Sequence, residues 1–123
     1  MKEIIVERKP LLADGSIVGS YKPLYSYWEL AKERGIEEAI ITRDDIEFIK
    51  ELVESTGRLR LLEVREKLVK KFIPRVNPEV AEEAYKRLGF NFTRQEAQRG
   101  IAEILAGWSL EAARNLNIVS FRS

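Results

Sequence analysis

Neither cysteine nor histidine occurs anywhere in these 123 residues. Without cysteine the chain forms no disulfide, presents no thiol nucleophile and offers no thiolate to a metal. Without histidine it lacks the side chain most often used as general base and as metal ligand. Long apolar runs are missing as well, and nothing approaches the ~20 residues that cross a bilayer. The opening Met1-Lys2-Glu3-Ile4 has no apolar stretch of signal-peptide type, so a cytoplasmic protein is expected. A net charge of +1 gives no bulk attraction to nucleic acid or to an anionic membrane. The expectations are therefore no membrane partner, no resident cofactor and no metal site.

What remains is a charged, helix-forming chain. The apolar fraction of 45% is ordinary for a globular domain and speaks against disorder. Charged residues reach 33%, while asparagine, glutamine and methionine are scarce, a thermophile-like balance. The length fits one domain spanning 1–123. No internal repeat, low-complexity tract or linker interrupts it.

Local signals divide this domain into a β-hairpin over 1–20, a helical core over 26–116 and a terminal strand or tail over 117–123. Ile4-Ile5-Val6 reads as a strand. Leu11-Leu12-Ala13 and Ile17-Val18 flank Asp14-Gly15-Ser16, whose Asp-Gly step supplies the positive φ of a tight hairpin. Ser26-Tyr27-Trp28-Glu29 has capping-box form and predicts a short helix closed by Gly35. Thr42-Arg43-Asp44-Asp45 opens a second helix with acids at its positive end, stopped by Gly57. Leu61, Val64, Leu68 and Phe72 form the inner stripe of a third, ended by Pro74. Asn77-Pro78 starts a fourth, closed by Gly89, and Thr93-Arg94-Gln95-Glu96 boxes a fifth that runs to about Gly107. Ser109 is placed to cap a further short helix. The fold class is mainly α, about five helices with small β elements at the ends, and Ile49, Leu52, Leu68, Phe72, Tyr85 and Ile101 are the expected core.

Little in the sequence carries chemistry. Acid pairs such as Asp44 with Asp45 and Glu82 with Glu83 could hold a hard cation or transfer protons, but each sits where helix-dipole compensation explains it. Serine, threonine and lysine have no activating neighbour in sequence. The glycines form no phosphate-binding pattern. The reading leans away from an enzyme, which would have to work through an unusual carboxylate or lysine site, and no catalytic residue is assigned.

Charge is unevenly distributed along the chain. Residues 57–75 hold seven bases (Arg58, Arg60, Arg65, Lys67, Lys70, Lys71 and Arg75) against Glu63 and Glu66. Residues 39–56 hold two bases, Arg43 and Lys50, against five acids, Asp44, Asp45, Glu47, Glu51 and Glu54. A net +5 segment thus follows a net −3 segment. The basic one reads either as a partner- or nucleic-acid-binding helix, the second of a helix-turn-helix, or as a solvated face with Glu63–Lys67 and Glu66–Lys70 paired at i,i+4. Tyr21, Tyr25, Tyr27 and Trp28 cluster around Lys22-Pro23. The three tyrosines are candidates for an aromatic contact surface, whereas Trp28 reads as a core plug.

The order of several short pieces resembles the DsrC/TusE family of small sulfur-trafficking proteins. They are Asp14-Gly15; Leu30-Ala31-Lys32-Glu33-Arg34-Gly35-Ile36; Ile41-Thr42-Arg43-Asp44-Asp45-Ile46-Glu47-Phe48-Ile49; Val64-Arg65 with Lys70-Lys71; Tyr85-Lys86-Arg87-Leu88; and Glu96-Ala97-Gln98-Arg99. The resemblance implies a small helical protein that docks on a partner or, through a helix-turn-helix-like core, binds DNA. Sulfur carriers of that family use a cysteine on a mobile terminal arm and a second one upstream. Here Gln98 stands near the upstream position and Ser109 near the terminal one, so persulfide carriage is not expected.

Together these readings favour a non-catalytic, cytoplasmic protein-interaction or adaptor protein, DsrC-like without the sulfur-carrying cysteines. The rival is a helix-turn-helix nucleic-acid-binding regulator using 58–75. A third reading is a structural subunit of an oligomer, whose apolar tail at 118–121 adds to a neighbour's sheet.

Overall fold

A computed structural model describes the backbone of residues 18–56 and 61–115, with side chains over 22–54 and 63–113. Within those residues the chain folds into α1 (Val18–Glu33), α2 (Arg43–Thr56), α3 (Leu61–Phe72), α4 (Pro78–Arg87) and α5 (Arg94–Asn115). A single 3₁₀ turn, Ile73–Arg75, joins α3 to α4. The described residues contain no strand. Most of the expected hairpin, residues 1–17, and the expected strand at 117–123 lie outside them.

Most helix ends fall where the sequence puts them. Thr42 caps α2: its hydroxyl accepts the Asp45 N–H at 3.4 Å, and its own N–H donates to the Asp45 carboxylate at 2.8 Å. Asn77 Oδ1 accepts the N–H groups of Glu79 and Val80 at the start of α4, where Pro78 has no N–H to leave unpaired. Thr93 and Glu96 exchange hydrogen bonds of 2.9 and 3.1 Å in a full capping box at α5. Helix α4 ends in a Schellman motif: the Gly89 N–H reaches Lys86 O, the Phe90 N–H reaches Tyr85 O, and Gly89 takes φ +90°, which a side chain would resist. Helix α1 ends the same way at Gly35.

Two boundaries differ from expectation. Helix α1 begins by Val18, so residues 18–20 are helical, not hairpin, and Ser26 is no cap. The reason is the apolar stripe Leu24, Tyr27, Trp28 and Ala31, whose i, i+3, i+4, i+7 spacing starts upstream of Ser26 and outweighs a local capping pattern. Ser26 Oγ instead lies 3.5 Å from the Ala84 carbonyl on α4. The helix also absorbs Pro23, forgoing one backbone hydrogen bond. At the other end α5 runs unbroken through Gly107 and Ser109 to Asn115, so no separate helix starts at Ser109. The Ser109 hydroxyl donates to the Leu105 carbonyl at 2.8 Å, satisfying itself inside the helix instead of starting a new one.

Helix α5 is the centre of the packing, in contact with each of the other four helices, whereas α1 touches neither α2 nor α3. Its buried positions include Ala97, Ile101, Ala102, Leu105, Ala106, Trp108, Leu110, Ala112 and Ala113. Beyond Ile101 they spread over more than half of the circumference at 3.6 residues per turn, wider than the stripe of a surface helix. Alanines on this helix let its neighbours approach. Closest is Gly100, where an added Cβ would collide with the Tyr85 ring of α4, with Cζ at 3.0 Å. Of the expected core, Ile49, Leu68, Phe72, Tyr85 and Ile101 are buried and Leu52 is half-buried against them.

Two substitutions test this packing by opposite routes. Phe72→Ala opens a cavity under fully buried atoms and should cost about 3–5 kcal/mol. Gly100→Ala overfills the α4–α5 contact and should cost about 1–3 kcal/mol. Denaturant melts of both variants measure these losses, and a loss under about 0.5 kcal/mol at either site would contradict the packing.

Candidate protein-interaction surface

The basic segment divides in space. Lys71 and Arg75 turn inward to Asp45, at 3.1 and 2.6 Å, and are spent there instead of lying open to a phosphate. Lys67 and Lys70 are exposed on α3, but Glu63 and Glu66 occupy the same helix face at i, i+3, i+4 and i+7, so that face is mixed in sign. Arg65 is exposed as well, and Arg58 and Arg60 lie outside the described residues. The expected Glu63–Lys67 and Glu66–Lys70 pairs do not form among the described residues. Glu66 instead accepts from Arg99 of α5 at 3.1 Å, and Arg99 also meets Glu103 at 3.4 Å.

The tyrosines divide too. Tyr27 is fully buried and its hydroxyl accepts the Asn77 N–H at 2.8 Å, pinning α1 to the cap of α4. It is a core residue and offers no contact surface. Burial pushes its pKa up, with the Asn77 hydrogen bond working the other way. Tyr25 is half-buried and packs edge-on against Trp108, 6.1 Å between centroids, while Trp28 is a core plug that donates to Ala39 O at 2.7 Å. The Tyr21 side chain lies outside the described ones.

Asp45 is the polar centre of the molecule. Its carboxylate is 0% exposed and accepts two hydrogen bonds of 2.6 Å from the Arg75 guanidinium, which also reaches the Ile40 carbonyl at 3.3 Å. Lys71 and the Thr42 N–H and hydroxyl complete the set. The cluster ties the start of α2 to the end of α3, to the 3₁₀ turn and to the strap before Thr42. The sequence reading of Asp45 as a capping acid holds, and its burial adds a second role. Desolvation raises the pKa, but the Arg75 and Thr42 hydrogen bonds, the Arg75 charge and Lys71 outweigh it and hold the group below the ordinary 3.8. A carboxylate so fully engaged has no lone pair left to take a substrate proton. Tyr85, pushed up to about 12 by burial and by the Glu103 charge, stays protonated at neutral pH. Gln98 donates to the Ile73 and Val76 carbonyls at 3.0 and 2.9 Å and closes the 3₁₀ turn. Among the described residues no group of three carboxylates converges to hold a cation, and no helix is long and apolar enough to cross a membrane.

One surface feature remains apolar. Leu88, Phe90 and Phe92 are the exposed large hydrophobics of the described residues, at 37%, 47% and 36% exposure. They sit together on the loop between α4 and α5. The Gly89 turn throws Phe90 back onto Tyr85, edge-on at 5.8 Å. Phe92 meets the same ring at 4.9 Å and stacks on Phe90 at 5.4 Å with the planes 21° apart. This three-ring stack is fixed at one end by the Schellman motif and at the other by the Thr93 capping box. It is therefore a rigid apolar platform held open to water. The sequence reading passed over it, although a loop bounded by two caps and carrying Phe-Asn-Phe was the available signal: loops lie on the surface, so these rings had nowhere to hide.

Asp45 generates a pH prediction. Because its folded pKa is depressed, its stabilisation is present above the ordinary value of 3.8 and is lost as pH falls through the lower, folded pKa. Stability should hold from about pH 7 to 5 and drop below about pH 4, and Asp45→Asn should remove this group's share of the drop. At neutral pH that variant should cost about 3 kcal/mol, the low end for breaking a buried pair, because Arg75 and Lys71 keep 31% and 29% exposure and can turn to water. Urea melts across this range measure it, and wild-type and variant curves that stay parallel below pH 4 would contradict the assignment. No family model matches the chain, and no curated protein or solved structure matches it either.

Proposed function

We propose that this protein is a non-catalytic interaction protein that docks a partner protein on Leu88, Phe90 and Phe92. The single observation that carries the reading is the rigid stack of Phe90 and Phe92 on Tyr85, held exposed although burying it would be favourable. Taking ~200 Å² per large side chain, the exposed part amounts to roughly 200–250 Å². That is far below the ~800 Å² per partner of a standard stable interface, so the occupant is a short apolar segment or one anchor region of a larger contact.

The kinship with cysteine-free DsrC-like proteins stays within this proposal. It rests on the sequence resemblance alone, and under it Gln98, spent on backbone carbonyls, and Ser109, buried in a continuous helix, mean that sulfur carriage has been lost and docking is what remains. The nucleic-acid reading loses Lys71 and Arg75 to Asp45 and keeps a mixed-sign face on α3, so the protein partner is preferred. The tail of the structural-subunit reading lies outside the described residues.

The test compares wild type with Phe90→Ser/Phe92→Ser in affinity capture from the native host, alongside a duplex-DNA titration. Wild type should retain a stoichiometric protein that the variant loses, and circular dichroism and thermal melts check that the variant stays folded, since Phe90 and Phe92 are more than half buried, at 47% and 36% exposure. Identical captured sets would overturn the proposal. Micromolar duplex binding with a log–log salt slope near about −3 would replace it with the regulator reading.

A further inference from the structure

Helix α2 carries the net negative stretch of the sequence, and there the charges stay together in space. Asp44, Glu47, Glu51 and Glu54 are all exposed and recur at i, i+3, i+7 and i+10, one row about 15 Å long at 1.5 Å per residue. Neighbours in that row are like-charged at helical contact spacing, which destabilises a helix. Elsewhere on the described surface Glu66 and Glu103 pair with Arg99, Glu79 and Glu82 with Arg94 and Glu33 with Arg87, while Glu29, Glu37 and Glu63 are single exposed acids and not part of a row. No lysine or arginine of the described residues forms an ion pair with any of the four α2 acids. Arg43 and Lys50, also exposed, flank one side of the row at i,i+3 and i,i+4 from Glu47 and Glu54, so four acids against two bases leave this face net negative by two.

On the other side of the row lies an apolar wall. Phe48 and Leu52, both half-buried, line an open groove of about 510 Å³ together with Glu51 and Glu54. Lys71 reaches over the Phe48 ring at 4.4 Å, but its charge is engaged by Asp45. An apolar trough with a net-negative rim disfavours polyanions and complements a segment that is apolar on one stripe and cationic beside it. Helix-in-groove recognition has this form, with anchors at i, i+3, i+4 and i+7 in the trough and flanking cations on the rim.

We infer that the α2 groove formed by Phe48, Leu52, Glu51 and Glu54 is a second docking site, whose occupant is a basic amphipathic helix of a partner protein. This site is independent of the Phe90–Phe92 platform, since α2 makes no contact with α4. It gives an adaptor two surfaces of different chemistry, one purely apolar and one apolar with an acidic rim. The carboxylates steer the encounter and fix the orientation, while Phe48 and Leu52 hold the seated helix.

The probe is a fluorescein-labelled peptide with leucines at i, i+3, i+4 and i+7 and lysines on the flanking positions, titrated with the full chain by fluorescence anisotropy at low salt. Saturable micromolar binding is expected, weakened about tenfold or more by Glu51→Gln/Glu54→Gln and by scrambling the peptide's order. Circular dichroism should show that the double variant stays folded, because it removes like-charge repulsion. Phe90→Ser/Phe92→Ser should leave this binding within about twofold of wild type. Three results would overturn the inference: no saturation up to about 1 mM, equal affinity for the scrambled peptide, or binding lost only with Phe90 and Phe92. The last would leave the platform's docking role standing while removing the groove's.

Discussion

One helix has to be buried on most of its sides for this chain to have a core. Helix α5 meets α1, α2, α3 and α4, and several of those four have little or no contact with one another. Each outer helix therefore spends one face on α5 and leaves another to water, and the loops joining them are forced to the periphery. Gly100 admits Tyr85 at the α4 crossing, and Ala102, Ala106, Ala112 and Ala113 keep the central axis slim. The Asp45 cluster holds α2 and α3 in register, since these two helices meet over a limited area and need the Arg75 and Lys71 cross-links. The platform at Phe90 and the groove beside Phe48 both follow from this plan, as leftovers of faces that α5 does not cover.

Helix termini were readable because a cap is a local device. Thr42, Asn77, Thr93, Gly35 and Gly89 satisfy backbone groups within four residues of themselves, and each does in the fold what its sequence neighbourhood implies. The failures came where a local pattern competed with packing. Ser26 has the residues of a capping box, yet Leu24 belongs to the same stripe as Tyr27 and Ala31, so the helix runs through it. Gly107 resembles a stop, yet Leu105, Trp108 and Ala112 need continuous helical spacing to reach the core. Side-chain roles that depend on distant partners were beyond sequence reasoning: Asp45 meets Arg75 across thirty residues, and Tyr27 meets Asn77 across fifty.

Charge along the chain proved a poor guide to charge in space for one segment and a good one for its neighbour. The bases of 57–75 disperse because the helical turn sends Lys71 inward and returns Glu63 and Glu66 to the face that holds Lys67 and Lys70. The acids of α2 stay aligned because their spacing matches the helical repeat, apart from Asp45, which rotates into the core. The candidate surfaces are thus of two kinds, one visible as a periodicity of like charge and one visible only once loop aromatics are seen to lack cover.

The central claim is that α5 is one continuous helix through Gly107 and Ser109, which fixes the faces that its neighbours leave to water. Native-state hydrogen exchange, resolved by residue and measured against denaturant, tests this most directly. The account predicts that amides from Leu105 to Ala113 exchange only by global unfolding, with the same free energy and the same denaturant dependence as those of Phe72 and Ile101. Exchange of residues 108–113 through a separate, lower-energy opening that begins at Gly107 would contradict it.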